Sequence, residues 1–305
     1  MSSSRGRTWL NTLLLTTAVA LAGACDSPPP PAAPTSTLPA AQFANYPAEA
    51  NEFRFHWAAA QGIDLETGPA VPLRAYVESM RLAAFAGGDG AASYPGLARI
   101  TPENTGPVTN DGGLFQLEEV RPLTRAEYEA HGVKDAERQI YGYQPTYVLD
   151  LAPQGDGYRA TVCLGLYSVY RTADDDHEKY FSTIADPETG RLRYDNGQTV
   201  EIWRVELTDK DPRVGNPPAA PAIPQAGPLP APLDDVFGPW FITGRASGRW
   251  GPAGESERID TPEIRQQCED AMPDDAATRM AMATGFHSQP PPDGNPIPGW
   301  PDQVK

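Results

Sequence analysis

The spacing of apolar residues predicts a helix early in the folded part of the chain. After Pro72, apolar side chains recur at helical spacing over residues 73–84, and the pattern stops before Gly87. Further along, Thr124 and Glu127 have the spacing of a capping box, which predicts the start of a short second helix reaching His131. Both elements precede the strand-like part of the sequence.

A period of two begins near Ile140 and predicts long strands. Residues 146–151 alternate, Gly155-Asp156-Gly157 is typical of a turn, and residues 158–171 are rich in Val, Leu and Tyr. Within that run the even positions are the more apolar set, whereas Cys163 falls on the opposite face. Both faces of this strand are therefore expected to be partly covered.

Two further strand regions are predicted in the second half of the chain. Residues 191–194 and 199–207 flank an Asn-Gly dipeptide, which accepts the positive φ angles of a tight turn, so we predict a second hairpin here. Residues 240–250 predict another strand, with Arg245 on the face opposite to Ile242.

The C-terminal part predicts two helices. Thr261 is a good N-cap and Pro262 a good first helical residue, and the helix that they begin carries Cys268. This helix can dock on the sheet face that carries Cys163, and a second short helix is predicted over residues 274–284. Together the elements predict an α+β fold, in which an antiparallel curved sheet has an N-terminal helix and a C-terminal helix docked on it.

The element order over about residues 70–250 resembles the NTF2-like cone, a scaffold that recurs in secreted actinobacterial lipoproteins. A cystatin-like or an unrelated sheet is the alternative. Aromatic residues of the strands are candidates either to line a pocket in a half-open cone or to pack in the core. These residues are Phe53, Phe55, Trp57, Tyr141, Tyr143, Tyr147, Tyr167 and Tyr170. We also expect Trp203 and Trp240 to help fill the core.

The N-terminus has the three zones of a secretory signal peptide. Arg5 and Arg7 precede an uncharged stretch over residues 9–21, and small residues follow up to Cys25. The uncharged stretch is too short and too rich in Thr to span a bilayer, which needs about 20 predominantly apolar residues. The run Ala22-Gly23-Ala24-Cys25 resembles the lipobox of bacterial lipoproteins, although that motif more often has Leu or Val at the position of Ala22.

The lipobox resemblance implies a lipid anchor. Residues 1–24 would be removed as the signal peptide, and Cys25 would become an acylated N-terminal residue. Residues 25–45 contain six prolines with Ser and Thr between them, a composition typical of an extended tether. The alternative is an ordinary signal peptide cleaved near an A-x-A site, which would leave Cys25 as a structural thiol.

The other two of the three cysteines are Cys163 and Cys268. Because the chain is sent to an oxidising compartment, we predict that they form a disulfide. In the chain-entropy model, closing a loop of about 100 residues contributes roughly 4.7 kcal/mol. In the competing interpretation one of them is a nucleophile paired with a histidine, but no signature around either cysteine supports that role.

A single domain is predicted over residues 46–287. The Pro-rich stretch at residues 211–236 either separates two domains or is a long surface excursion within one. We favour the excursion, because the roughly 50 residues that follow are too few for an independent core. Residues 288–305 are again rich in Pro and are predicted to be a disordered tail.

Composition and charge restrict the classes of function. The chain has 28 Gly and 34 Pro, which argues against a helical bundle or a coiled coil. A formal net charge of −16 would repel a phosphate backbone, so no nucleic-acid partner is predicted. An acidic surface is also repelled by anionic lipids, so membrane attachment would depend on acyl chains.

The polar residues form no recognisable catalytic or metal-binding pattern. His56, His131, His177 and His287 have no ligand spacing, and the acidic run at residues 174–178 does not fit a calcium-binding loop. No serine lies in the Gly-x-Ser-x-Gly pattern of a nucleophile elbow. We therefore predict no catalytic residue, no metal and no cofactor.

These observations favour one function and leave two alternatives. The favoured function is a non-enzymatic, lipid-anchored module at the outer face of the cytoplasmic membrane that binds an envelope protein, a wall component or a small apolar ligand. The first alternative is an envelope hydrolase, which a deep pocket with two inward acids of raised pKa would indicate. The second is a phage- or prophage-encoded surface lipoprotein that alters host susceptibility.

Overall fold

Alternating apolar residues build a strongly curled sheet with helices packed on it, as the computed structural model shows. The structure describes residues 46–88, 92–109, 112–130, 139–173, 176–193 and 197–302. The signal peptide, Cys25 and the tether lie outside the described residues, as does His131. The predicted α+β class, with a curved antiparallel sheet, is confirmed.

Seven strands form the main sheet in the order β5-β4-β2-β3-β6-β7, with β1 paired to β2. They are β1 (Glu52–Ala59), β2 (Ile140–Gln154), β3 (Gly157–Gly165), β4 (Val169–Thr172), β5 (Tyr180–Ser182), β6 (Val200–Thr208) and β7 (Phe241–Ala246). All neighbours are antiparallel except β1, which runs parallel to β2. A separate two-stranded ribbon joins β8 (Arg249–Trp250) to β9 (Glu257–Arg258).

Five helices accompany the sheet in the described residues. They are α1 (Ala70–Phe85), α2 (Phe115–Glu118), α3 (Arg125–Ala130), α4 (Pro262–Asp270) and α5 (Ala276–Ala283). The predicted capping box begins α3, where the Glu127 carboxylate accepts from the Thr124 backbone N–H at 2.6 Å. The predicted N-cap of α4 is also confirmed, because the Thr261 hydroxyl accepts from the Ile264 N–H. Within the described ranges, no helix is long and apolar enough to cross a membrane.

The sheet has a face that packs against α1, which we call the inner face. Strand register places Val162 opposite Trp203 on this face, next to apolar side chains of α1 such as Val77. Tyr76 and Leu73 of the same helix are fully buried. Because α1 is buried almost all round, it forms the centre of the larger hydrophobic core.

The opposite, outer face carries α4 and the predicted disulfide. Cys163 and Cys268 are bonded, with their Cα atoms 5.3 Å apart, and both are fully buried. Ile202 and Met272 pack with them in a second apolar cluster. The disulfide therefore joins β3 to α4 across the outer face, and an exported, oxidising location is consistent with it.

Within the described residues, the second predicted hairpin does not form. Strand β6 pairs with β3 and β7 rather than with residues 191–193, which make only an isolated bridge between Ala185 and Leu192. Pairing with two neighbours buries both edges of β6, whereas a hairpin of three residues would leave one edge exposed. Asn196, at the predicted turn, lies outside the described residues.

A bulge in β7 changes which side chains face inward. Glu206 lies opposite Gly244 and Leu207 lies opposite Ile242, so Thr243 is an extra residue in β7. The extra residue places both Ile242 and Arg245 on the inner face. The prediction that Arg245 points away from Ile242 is therefore wrong.

The predicted disordered tail is wrong for residues 288–302, which pack on the domain. Ile297 hydrogen-bonds alongside β1, with its N–H 3.1 Å from the Phe55 carbonyl, and Trp300 is buried. Gly299 passes close to Gly227 where a Cβ atom would not fit. The Pro-rich stretch at residues 211–236 stays within the same domain, but part of it is buried rather than superficial, because Leu229 pairs with Trp300.

Candidate functional site

Helix α1 carries three charged residues that are largely buried. Arg74 and Glu78 are completely buried, and the side chain of Arg81 is 14% exposed. Spacings of three and four residues place all three on one side of the helix. Buried charges require partners, and these residues find them in two separate clusters.

The first cluster surrounds the carboxyl group of Glu78. Its oxygens accept hydrogen bonds from Trp57 Nε1 at 2.8 Å, Tyr94 Oη at 2.6 Å and Trp300 Nε1 at 2.8 Å. These donors come from β1, from the loop after α1 and from the C-terminal segment. We call Arg74, Glu78 and these three donors the Glu78 cluster.

Arg74 connects the same cluster to three backbone segments. Its guanidinium group donates to the carbonyl oxygens of Leu65 and Gln225 at 2.9 Å and of Pro298 at 2.7 Å. It also stacks on Trp300, with Cζ 4.3 Å from the ring centroid. The Glu78 cluster therefore fastens the Pro-rich stretch and the C-terminal segment to α1.

Burial raises the pKa of Glu78, although Arg74 and the three hydrogen-bond donors oppose that rise. Seven other described carboxyl groups have a shifted pKa, and in each of them it is lowered. Because both oxygens of Glu78 are engaged and no part of it reaches solvent, we assign it a structural role.

The second cluster lies further along the inner face, around Arg245. We call it the Arg245 cluster, and its members are Arg81, Gln144, Thr146, Glu201, Trp203 and Arg245. They come from α1, β2, β6 and β7, and strand register places the sheet residues on the inner face. Elements distant in sequence are thus joined at one site.

The contacts within the Arg245 cluster form a chain. Arg81 Nε donates to Gln144 Oε1 at 3.1 Å, and Arg81 Nη1 lies 3.7 Å from the Glu201 carboxylate. That carboxylate lies 3.9 Å from Arg245 Nη2, and Arg245 stacks on Trp203 with Cζ 3.8 Å from the ring centroid. Glu201 is therefore shared between two arginines at distances longer than a hydrogen bond.

Several buried polar atoms of this cluster lack a hydrogen-bond partner among the described residues. They are Gln144 Nε2, Thr146 Oγ1, Trp203 Nε1 and Arg245 Nε. In native proteins most buried polar side-chain atoms are paired, and an unpaired one costs about 1–3 kcal/mol. Their concentration in one place is the strongest indication of a binding site in the described chain.

The Arg245 cluster approaches the surface through Glu119, which follows α2. The side chain of Arg245 is 10% exposed, and the Glu119 carboxylate 3.5 Å away is 49% exposed. A cavity of ≈ 190 Å³ reaches Arg245, and its lining includes Phe115, Glu118, Glu119, Ser247 and Arg249. Tyr128 of α3 lies nearby, and burial raises its pKa in opposition to the charge of Arg81.

The aromatic residues predicted as candidates for a pocket lie elsewhere. Phe53, Phe55 and Trp57 alternate into the core from β1. On the outer face, Tyr143 and Tyr167 both donate to Asp274, at 3.2 and 2.8 Å. Burial and Asp274 raise the pKa of Tyr143 to about 12. Of the two tryptophans expected in the core, Trp203 is buried and Trp240 is half-buried.

The described histidines and acids lie apart. His56 stacks on Tyr143 and His287 lies against Tyr170, whereas Asp176 of the acidic run pairs with Lys179 at 3.3 Å. Asp174 and Asp175 lie outside the described residues. Among the residues that the structure describes, no group of three His, Cys, Asp or Glu side chains could hold a metal ion.

Sequence reasoning did not identify the Arg245 cluster as a site. One signal was present: Gln144 and Thr146 share the alternation of buried Val148, so two polar residues occupy positions of an inward-facing set. Trp203 was expected to be a core residue, and its indole without a partner could not be foreseen. Arg245 was assigned to the wrong face because of the bulge.

A second concavity follows the Pro-rich stretch. This groove has a volume of ≈ 350 Å³ and is lined mainly by Ala, Pro and aliphatic side chains, among them Pro221, Ile223, Leu233 and Val236. Its size and lining suit a small apolar ligand. Unlike the Arg245 cluster, it presents no buried unpaired polar atom among the described residues.

Comparisons with known proteins return no match. No protein-family model matches the chain. No curated protein is significantly similar to it, and no solved structure matches it.

Proposed function

We propose that this protein is an exported, lipid-anchored, non-enzymatic binding module of the cell envelope, and that its ligand site is the Arg245 cluster. The observation that carries the binding role is the group of four buried polar atoms, one of them Arg245 Nε, that have no hydrogen-bond partner in the described part of the chain. A bound molecule that supplies hydrogen-bond acceptors would offset the cost of burying these groups.

Several features support export and anchoring. The disulfide between Cys163 and Cys268 is typical of proteins in an oxidising compartment. The lipobox-like run that ends at Cys25 supplies an acylation site, and the Pro-rich residues after it suit a tether. The acidic net charge of −16 favours attachment through acyl chains over adhesion to anionic lipids.

The carboxyl groups favour binding over hydrolysis. A hydrolase with two carboxylic acids needs one of them protonated and both close to the substrate. Glu78 has a raised pKa, but its oxygens are occupied by three donors. Glu119 and Glu201 form ion pairs with Arg245, at 3.5 and 3.9 Å.

The anchor is tested by expressing the full chain in a bacterium that processes lipoproteins. We expect the mature protein to enter the detergent phase on Triton X-114 partition and to start with an acylated Cys25 by mass spectrometry. Cys25→Ser should move it to the aqueous phase, whereas Ser36→Ala in the tether should not. An unchanged, detergent-independent product in globomycin-treated cells would refute the anchor.

The binding role is tested by thermal unfolding against a library of cationic, neutral and anionic small molecules. We expect at least one compound to raise the Tm of the mature protein, because a ligand that binds only the folded state stabilises it. The shift should disappear in Arg245→Gln and persist in Arg213→Gln, a change at an exposed ion pair. Compounds that raise the Tm of Arg245→Gln as much as that of the unmodified protein would place the binding site elsewhere.

A further inference from the structure

We infer that the Arg245 cluster binds a small-molecule oxyanion, a carboxylate or a phosphate, at the guanidinium group of Arg245. This inference rests on the proposed function and names the chemical class of its ligand. It is carried by the donors and acceptors of the cluster, by its local charge and by the size of the adjoining cavity.

Donors outnumber acceptors in this cluster. Arg245 Nε has no hydrogen-bond partner among the described residues, and the ion pairs of this guanidinium group with Glu119 and Glu201 measure 3.5 and 3.9 Å. Arg81 Nε donates to Gln144, and Arg81 Nη1 lies 3.7 Å from the Glu201 carboxylate. The Glu201 carboxylate alone cannot match two guanidinium forks, so the site requires further acceptor oxygens.

Two neutral donors add to the excess. Gln144 Nε2 and Trp203 Nε1 are buried and unpaired within the described part of the chain. A cation or an apolar molecule would leave these N–H groups unsatisfied, whereas an oxyanion offers several lone pairs to them. Arginine forks are the side chains best suited to bind carboxylate and phosphate oxygens in pairs.

The local charge favours an anion although the chain is acidic. Within the Arg245 cluster, the two cations Arg81 and Arg245 face one carboxylate, that of Glu201. Burial lowers the pKa of Arg81, which means that the cation is incompletely compensated in this environment. A bound anion would balance this charge.

The adjoining space sets an upper limit on the ligand. The cavity at Arg245 measures ≈ 190 Å³, below the roughly 300 Å³ at which pockets for drug-sized ligands begin. A phosphate ion or a short carboxylic acid fits that volume. Glu119 is half-exposed, so an entering anion can replace its 3.5 Å contact with Arg245.

Isothermal titration calorimetry of the mature protein, with sodium phosphate and sodium citrate in separate arms and sodium chloride as the reference, tests this inference. We expect one anion to bind per chain in at least one arm. A heat of binding with phosphate alone identifies a phosphate ligand, and one with citrate alone identifies a carboxylate. A heat of binding with both shows that the site recognises the oxyanion group that the two share. Heat that matches sodium chloride in both arms would overturn the oxyanion inference.

Variants with opposite expected effects separate binding from folding. Arg245→Gln should lower the affinity for the anion by about tenfold or more, because charge-assisted hydrogen bonds are lost. Glu119→Gln should raise this affinity by about two- to fivefold, since a competing acceptor loses its charge. Arg213→Gln should leave affinity unchanged. Absence of both directional effects would refute the site even if an anion bound.

Failure of this inference can be told apart from failure of the proposed function. If the thermal-unfolding library yields neutral or cationic ligands that depend on Arg245, the binding role stands and the oxyanion class is wrong. If no compound of any class depends on Arg245, both are wrong.

Discussion

Two buried arginines stack on tryptophans, and their surroundings differ. Arg74 lies 4.3 Å from the Trp300 ring and Arg245 lies 3.8 Å from the Trp203 ring. Trp300 Nε1 donates to Glu78, and Arg74 donates to several carbonyl oxygens. Trp203 Nε1 and Arg245 Nε have no such partner among the described residues.

The difference separates a structural cluster from a candidate binding site. In the Glu78 cluster nearly every donor meets an acceptor, leaving Arg74 Nε unpaired among the described residues. The result is a nearly satisfied buried polar network that fixes three segments. In the Arg245 cluster, Arg245 Nε and the Trp203 indole have no acceptor among the described residues and remain available for a ligand.

The largest expected effect is the loss of the Glu78 carboxyl group. Glu78→Ala should lower the free energy of unfolding by about 3–5 kcal/mol, because three donors lose their acceptor and buried Arg74 loses a nearby opposite charge. Urea denaturation measures this change, and Glu263→Ala on the exposed start of α4 is the control. A loss below about 1 kcal/mol would contradict the structural role of this cluster.

Removal of the disulfide should come next in size and should not affect the inner face. The double variant Cys163→Ala, Cys268→Ala is expected to lose about 2–4 kcal/mol of stability, since the unfolded chain gains freedom. Its anion affinity should equal that of the unmodified protein, because the bond lies on the outer face. Calorimetric titration would reveal any loss of affinity, and such a loss would show that the two faces are coupled.

Matched changes at the two stacked tryptophans compare the clusters directly. Trp300→Phe should cost about 1–2 kcal/mol more than Trp203→Phe, because only the first removes a hydrogen bond to a buried carboxyl group. Both replacements remove a similar ring area. Equal losses in chemical denaturation would mean that the Trp203 indole is as well satisfied as that of Trp300.

Arg245→Leu should change stability little. Replacing a buried, poorly paired cation by an apolar side chain is often neutral, so we expect a change within about 1 kcal/mol in either direction. Thermal or urea unfolding without added anion measures it. A loss of about 3 kcal/mol or more would assign Arg245 to the structural framework instead.

The smallest expected effect is a pH dependence that belongs to Glu78. Because burial raises the folded-state pKa of Glu78, the folded protein binds a proton that the unfolded chain has released. This contribution is complete below the unfolded pKa and is lost as the pH rises through the folded pKa. The stability difference between the protein and Glu78→Gln should therefore shrink with rising pH, as urea titrations would show; a difference that grows would contradict the raised pKa.

Local signals in the sequence predicted much of the fold. The spacing of apolar residues predicts α1, the Gly-Asp-Gly turn predicts the β2–β3 hairpin, and Thr261 with Pro262 predicts α4, and all three are present. Each of these depends on residues that are close in the chain. The cysteine pair was predicted from its compartment and its even number.

The parts that could not be predicted depend on distant contacts. The partner of Trp300 is Glu78, 222 residues away, so the tail looked like disordered Pro-rich sequence. The face of Arg245 depends on one extra residue in β7, and a shift of one position reverses an alternating pattern. The candidate site needs both α1 and β7, which local patterns do not bring together.

The indole region of the ¹H–¹⁵N NMR spectrum tests the comparison most directly. The account predicts that titration with phosphate or citrate moves the Trp203 Nε1–H cross-peak, because this donor gains an acceptor. The Trp300 Nε1–H cross-peak should stay in place, because its bond to Glu78 is already made. A shift of the Trp300 cross-peak while the Trp203 cross-peak stays in place would contradict the account. So would the absence of a shift in both cross-peaks at saturating anion.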